Sequence, residues 1–447
     1  MRHSRLHVFV FAFLLLCIPV AAQDSGRMGG TVTDSTGAVI PGVTVIITNS
    51  GTNATRSYVC NEQGRFIAGD LLPGEYRLSI EANGFKRFVQ TGLQVRVGDS
   101  LEIPVKMSVG AATESVTITG EAPLLESTSS SMGEVIERKL IADLPLNERQ
   151  PLSLVLLTPG VTPNRQIANA AQPFNRAGNF SVSGGRGDTN EILLDGTPNT
   201  VTEGSTGAFR AVTIFPTVEG TQEFRVQTNT YAAEFGGSGG GVVNIVTKSG
   251  TNQYHGAMFE FLRNSRLDAN GFFSNLRSIP LANFKRNQFG AAFGGPLMIP
   301  KLYNGRDKTF FFVSWESLME RGGVPFTTTV PTVRQRAGDF SQTFDAQGRQ
   351  VTIYDPATTT FNPATGQYTR EAFPGNIIPS NRINPIAAKI MPLFPAPTDP
   401  GLPFTGASNY NTTYTRPIND HRLDIRLDQN LGDTHRIYWN YAFGRRT

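Results

Sequence analysis

Few side chains in this sequence are placed for covalent chemistry. Beyond the N-terminal stretch the histidines are His255, His421 and His435, far apart in the chain, and no His-Glu-x-x-His run occurs. A zinc peptidase site therefore has no ligand set. Cys17 lies in the N-terminal apolar stretch, which leaves Cys60 alone, so an internal disulfide is excluded and a buried, inert thiol is expected. Gly236–Gly241 is glycine-rich but leads into the strand-like Val242–Lys248, whereas a phosphate loop needs a helix N-terminus at that point. No nucleophile–base pair stands out. The sequence points to binding, with no enzyme activity, no cofactor and no metal. Polar residues in predicted loops, Arg186, Asp188, Asn190 and Arg210, are the candidate ligand contacts. The heptapeptide Glu114-Ser115-Val116-Thr117-Ile118-Thr119-Gly120 offers a different chemistry. It is β-prone and flanked by small polar residues, and an extended strand on a tether can add itself to the exposed sheet edge of a partner. The alternative reading is a last strand of the preceding domain followed by a linker.

The elements around these residues are strands. The 447 residues include 46 Gly and 30 Phe, and only 17% are charged, which suits short strands and turns better than helices. Net charge is +4 with no Lys/Arg block, so nucleic acid is not an expected partner. Arg2, His3 and Arg5 precede the apolar run Val8–Val20, and Ala21-Ala22 supplies small residues for cleavage, so residues 1–22 read as a secretory signal peptide. No later run of eighteen apolar residues occurs, so a membrane crossing would have to use strands.

Residues 24–109 read as a β-sandwich. Strands are expected at Gly30–Thr33, Thr44–Thr48, Arg65–Ala68, Glu75–Glu81, Phe85–Phe88 and Leu101–Met107, separated by turns such as Pro41-Gly42, Pro73-Gly74 and Asn83-Gly84. A linker, 110–132, carries the heptapeptide. In the next region, 133–250, Asn147 and Gln150 read as a capping box for a helix over Glu148–Leu157 that buries Leu152, Val155 and Leu156. Strands follow at Asn179–Ser183, Glu191–Leu194, Thr221–Thr228 and Val242–Lys248. From 251 onward the alternation is that of a barrel wall, with strands at Tyr254–Arg263, Lys285–Gly295, Thr309–Glu316 and two more near the C-terminus. Leu423, Ile425 and Leu427 alternate with Arg422, Asp424, Arg426 and Asp428, an apolar lipid face opposite a charged face expected to line a wet lumen. Ile437, Trp439 and Tyr441 are expected to face lipid, with Arg436, Tyr438 and Asn440 inward. Between these strands Arg321–Ile418 reads as a long outer loop with a short helix from Pro385, capped by Asn384 and stopped by Pro392.

Several segments resemble one family. GGGVVNIVTKSGTNQYHG (239–256) resembles the plug–barrel junction of TonB-dependent outer-membrane receptors, in wording nearest the Oar-like subgroup. NFSVSGGRGDTNEILLDGTPN (179–199) resembles the plug, and PTVRQRAGDFSQT (331–343) and GNIIPSNRINPIAAKIMPLFPAP (375–397) resemble the subgroup's outer loop. GTVTDSTGAVIPGVTVIITN (30–49) with GRFIAGDLLPGEYRLSIEANGF (64–85) resembles the carboxypeptidase regulatory-like domain, also described as carbohydrate-binding-like. Glu114–Gly120 resembles a TonB box. The resemblance implies a mainly β chain: sandwich, α+β plug at 133–250, and the first strands of a transmembrane barrel of about 22 strands. It implies an outer-membrane receptor for energy-coupled uptake of an unidentified extracellular ligand, with the sandwich in the periplasm, TonB as energy-transducing partner, and outer-membrane lipid around the wall. The chain stops inside its fifth barrel strand, so it reads as the front part of a receptor. The alternative is a surface adhesin or carbohydrate-binding scaffold without transport.

Overall fold

The computed structural model describes residues 25–111, 114–119, 132–144, 146, 149–163, 180–187, 189–203, 209–231, 235–236, 239–276, 281–433 and 435–447. The expected signal peptide, Asn147, Asp188 and Gly120 lie outside the described residues. Two compact units result. The first comprises Met1–Phe261, Gln288–Leu318 and Asn419–Thr447, and the second Leu262–Asn287 and Met319–Ile418. No described helix is long and apolar enough to cross a membrane.

The first unit begins with a two-sheet sandwich. Its strands are β1 (Gly26–Thr33), β2 (Thr44–Asn49), β3 (Thr55–Val59), β4 (Arg65–Leu71), β5 (Gly74–Glu81), β6 (Arg87–Val95), β7 (Ser100–Glu102), β8 (Val105–Lys106) and β9 (Ser115–Thr119). One sheet runs β4-β1-β7, with β8 also on β1, and the other runs β3-β2-β5-β6-β9. Alternate residues such as Val45, Ile47, Phe66, Leu78 and Ile80 point between the sheets and are buried there, as strand period two requires. Cys60 is buried in the same core, and burial raises its thiol pKa, as an inert thiol should show. The strand expected at Phe85–Phe88 starts later and runs longer, and β3 was not foreseen; only Tyr58 of its five residues packs on the core as a partly buried hydrophobe, and Val59 is exposed. Close approach explains Gly30. A Cβ there would overlap the Ile103 carbonyl oxygen and press on the Phe66 ring. Gly30→Ala is therefore expected to destabilise the sandwich by about 2 kcal/mol or more, visible as faster hydrogen exchange across β1 and β4 in the whole chain. Unchanged exchange would mean that the sheets part without cost.

The stretch expected as the plug adds β10 (Met132–Ile136), α1 (Arg138–Asp143), β11 (Val161–Pro163), β12 (Phe180–Val182), β13 (Glu191–Leu194), β14 (Thr197–Pro198), β15 (Thr200–Glu203), β16 (Phe209–Val212), β17 (Thr221–Asn229) and β18 (Val242–Thr247). Its main sheet runs β10-β17-β18-β13-β14. Every residue of β18 is buried, which suits its four apolar side chains, while the buried Asn244 and Thr247 make hydrogen bonds. The helix expected over Glu148–Leu157 is instead a 3-10 segment, Pro151–Leu157, begun by Gln150 without a side-chain cap. Pro151 sits at its first position, where proline is tolerated; farther in, it would remove a helix hydrogen bond. Leu152 and Val155 are buried as expected, but the tighter turn carries Leu156 outward and Leu154 inward.

Five wall strands follow: β19 (His255–Asn264), β20 (Phe284–Pro296), then, after the small hairpin β21 (Met298–Ile299) and β22 (Tyr303–Asn304), β23 (Thr309–Thr328), β26 (Tyr410–Leu431) and β27 (His435–Arg446). They pair in the order β19-β20-β23-β26-β27. In β20 the even residues Gln288, Gly290 and Ala292 are buried and Phe293 is exposed. Phe293 stacks outside on Tyr254 (5.7 Å) and packs on Phe311 (5.6 Å). Ile437, Trp439 and Tyr441, expected toward lipid, are all exposed, and the Trp439 and Tyr441 rings stack at 6.0 Å. The wet lumen does not hold. Arg422, Asp424, Arg426 and Asp428 face inward but are all buried, because plug residues fill that space.

The second unit holds the expected outer loop, which is shorter than Arg321–Ile418 because β23 continues to Thr328 and β26 begins at Tyr410. Backbone and polar side-chain bonds sustain these ends, such as Gly323 N–H to Asn283 O (2.7 Å) and Thr327 Oγ1 to Asn411 Oδ1 (2.7 Å). The loop is folded. It includes the hairpin β24 (Thr360–Asn362) and β25 (Gln367–Thr369). Asn376 Nδ2 donates to Phe340 O (2.7 Å) and Val351 O (2.9 Å) and its Oδ1 accepts from Ile353 N–H (2.7 Å), tying three passes of chain together. The helix Pro385–Ile390 is capped by Asn384 as expected, although Pro392 falls within a further 3-10 turn rather than ending the segment.

Candidate functional site

The candidate loop residues separate by environment. Asn190 is 3% exposed. Its Nδ2 donates to Phe180 O and to Gly187 O, and its Oδ1 accepts from Gly241 N–H at 3.0 Å. The sequence expectation of a ligand contact is corrected here: the amide pins the glycine-rich segment to the loop before β13. Gly240 and Gly241 are required beside it, since a Cβ on either would collide with Asn190 or Val182. Arg186 is exposed, and Arg210 sits on β16, whose backbone pairs with β15.

The heptapeptide also differs from a free tether. Ser115–Thr119 is β9, an edge strand lying parallel to β6 in the register Arg87↔Ser115 to Thr91↔Thr119. The alternative of a last sandwich strand thus describes its position, and the sandwich sheet reaches Thr119 rather than residue 109. Glu114 is held by Lys86 Nζ (2.6 Å) and by Arg87 N–H to its carbonyl (2.9 Å). Its packing is slight: Val116 is half-buried, the other four residues are exposed, and none belongs to the sandwich core.

Three polar clusters that sequence reasoning did not single out hold the plug. Arg426, 2% exposed, reaches Asp428 Oδ2 (3.1 Å), Asp195 Oδ1 (3.4 Å), Thr247 Oγ1 (2.7 Å) and Thr247 O (3.0 Å). Asn440 Nδ2 donates to Asp195 Oδ2 at 2.6 Å, and Ser249 Oγ to Asp428 Oδ2 at 2.7 Å. Beside it, Asp424 Oδ2 accepts from Thr217 N–H (2.8 Å) and Ser314 Oγ (3.3 Å). In the second cluster Glu219 pairs with Arg138 and with Arg149 (3.2 Å), and Arg149 also reaches Glu316 Oε2 (3.3 Å), whose other oxygen, Oε1, accepts from Gln288 Nε2 (2.6 Å). The Arg149 guanidinium lies 3.9 Å from the Phe259 ring centroid, so the aromatic face of β19 looks inward while Met258, 90% exposed, looks out. Burial opposes charge on Glu219, but Arg138 and Arg149 outweigh it and hold its carboxyl below the usual range.

The third cluster joins plug to sandwich. Glu223 Oε1 accepts from Val97 N–H at 2.5 Å, and Arg225 Nη1 donates to Val97 O at 3.1 Å and lies 3.5 Å from Asp99 Oδ1. Gly98, at φ +71°, lets the turn lie flat on Arg225; a Cβ there would stand 3.1 Å from its Cδ. Arg96 pairs with Glu137 at 2.5 Å on the same seam. Burial of Glu223, offset by the Val97 amide and reinforced by Asp99, pushes its carboxyl up to about 7. Charged residues on a predicted strand were the available signal for these positions, but a strand pattern gives a face and not a partner.

A model described as an outer membrane beta barrel domain matches residues 246–447, and one described as a carboxypeptidase regulatory-like domain matches 27–108. The class is thereby defined: a mainly β protein of the bacterial outer membrane, with a carboxypeptidase regulatory-like sandwich ahead of its barrel strands. More narrowly, the chain is a homologue of the TonB-dependent transporter Oar of Myxococcus xanthus, 27% identical over 314 residues, covering 69% of this chain and 28% of that protein. Among solved structures, the outer membrane transporter YddB from Escherichia coli aligns with 70% of this chain and 33% of its own at 11% identity and a TM-score of 0.36. The siderophore receptor PirA from Acinetobacter baumannii aligns with 72% of this chain and 32% of its own at 15% identity and a TM-score of 0.36.

Proposed function

We propose that this protein is an energy-coupled outer-membrane receptor in which TonB engages Glu114–Gly120 and displaces the plug to admit an extracellular ligand. The observation that carries this reading is the plug sheet fixed to the inner face of the wall strands by buried, reversible polar contacts, with a weakly packed β-strand upstream of it. Such contacts hold a domain in place at rest and can be exchanged when it moves, without covalent chemistry. In this reading the sandwich lies in the periplasm, and Arg186, Asp188 and Arg210 face the ligand. Deleting Glu114–Gly120 from the gene at its own locus is expected to abolish site-directed crosslinking to TonB while leaving the amount of protein in the outer membrane unchanged. Undiminished crosslinking would overturn the assignment.

A further inference from the structure

We infer that β6 is a strut through which a pull on β9 reaches plug strand β17, so that the sandwich is a working part of the coupling machinery. The inference rests on the reading of Glu114–Gly120 as the coupling segment. At its N-terminal half, Arg87–Thr91, β6 pairs in parallel with all five residues of β9. At its C-terminal end β6 runs directly into the turn Arg96–Asp99, whose Val97 backbone binds Glu223 and Arg225 of β17. Between these ends β6 is tied to β5 from Ile80↔Phe88 to Gly74↔Val95. Load along β9 meets the β6 ladder in shear, which strains its hydrogen bonds together rather than one after another. The free edge of β9 has no pairing partner among the described residues, so an extended strand from a partner can join it while β9 keeps its place on β6. A strand already held straight also costs a partner less ordering than a loose tether. The folded route, β9 to β6 to the turn to β17, is hydrogen-bonded at each step.

The first variant acts from the sandwich side and leaves the coupling segment and the clasp residues Glu223 and Arg225 intact. Gly98→Val places a branched side chain at φ +71° against Arg225, which opens the clasp. Plug movement is read by maleimide labelling of a Val243→Cys reporter, buried at rest, in energised cells and in cells treated with a protonophore. Gly98→Val is expected to retain TonB crosslinking and to lower the energy-dependent labelling at least tenfold. Arg225→Met should do the same from the other side. Labelling at the wild-type level in both variants overturns the strut. In parallel, hydrogen exchange of the whole chain is followed with and without the purified TonB C-terminal domain. Amides of Arg87–Thr91 should stay protected on binding; their exposure would mean that β9 leaves β6 and would equally overturn the strut. If crosslinking also survives deletion of Glu114–Gly120, the failure lies instead in the coupling-segment reading.

Discussion

Arg426→Met is expected to weaken the seating of the plug by about 3–5 kcal/mol, the usual penalty for removing one partner of a buried charge pair. Arg426 is buried, and it is the cation between Asp195 on the plug and Asp428 on the wall. Without it, Thr247, Ser249 and Asn440 still donate to the two carboxylates, but the charges have lost their counterion in a dry site. A methionine fills similar volume, so the loss reports charge rather than a cavity. The expectation has an internal control. Adding Asp195→Asn and Asp428→Asn removes the stranded charges, and the triple variant should recover most of the loss. The measurement is the urea midpoint at which the plug becomes accessible to protease. A drop worth under about 1 kcal/mol would mean that the cluster behaves as a solvated surface pair.

That cluster also marks the limit of the sequence. The alternation of Leu423, Ile425 and Leu427 with Arg422, Asp424, Arg426 and Asp428 specified the two faces of β26 correctly. It could not specify what lies opposite the charged face. A water-filled lumen and a plug bearing Thr217, Asp195 and Thr247 demand the same charged residues on the wall. Likewise the dyad pattern found β20 and the lower part of β23, and lost β23 beyond Glu316, where Glu320 and Arg321 put polar side chains on both faces and backbone bonds such as Gly323 N–H to Asn283 O carry the pairing.

The candidate site was legible in the same uneven way. The β-prone character of Ser115–Thr119 was plain, but Val116 alone is half-buried, so no apolar face distinguished a docked edge strand from a tether. Asn190 is polar and follows a glycine turn, which reads as exposure; its burial comes from the approach of Gly241, fifty-one residues later. Glu219 lies in a stretch to which the sequence assigned no element, and Arg149 in an expected helix that is replaced by a 3-10 segment beginning at Pro151. Their pairing is a product of the fold and leaves no local trace.

The seam between sandwich and plug should loosen as pH rises. Glu223 titrates near 4.5 when free and near 7 in place, mainly because burial disfavours its charge, with Asp99 and Glu137 adding to the rise and the Val97 amide and Arg96 opposing it. A raised carboxyl favours the docked state most below about pH 4.5, and that advantage is lost as pH rises through about 7. The full swing is worth about 3 kcal/mol by linkage. Glu219 acts in the opposite sense: its depressed carboxyl contributes above 4.5, and its ion pairs with Arg138 and Arg149 are lost as pH falls below that. Above pH 5 the Glu223 effect therefore stands apart. Glu223→Gln keeps an oxygen for the Val97 N–H and carries no charge at any pH. Hydrogen exchange at the Val97 amide should accelerate in wild-type protein between pH 5 and 8, beyond the intrinsic rate change, by up to about a hundredfold. In Glu223→Gln the corrected rate should be flat and slower than wild type at pH 8. A flat profile in the wild type would mean that Glu223 is already charged at pH 5, stabilised in the seam by Arg96 and Arg225.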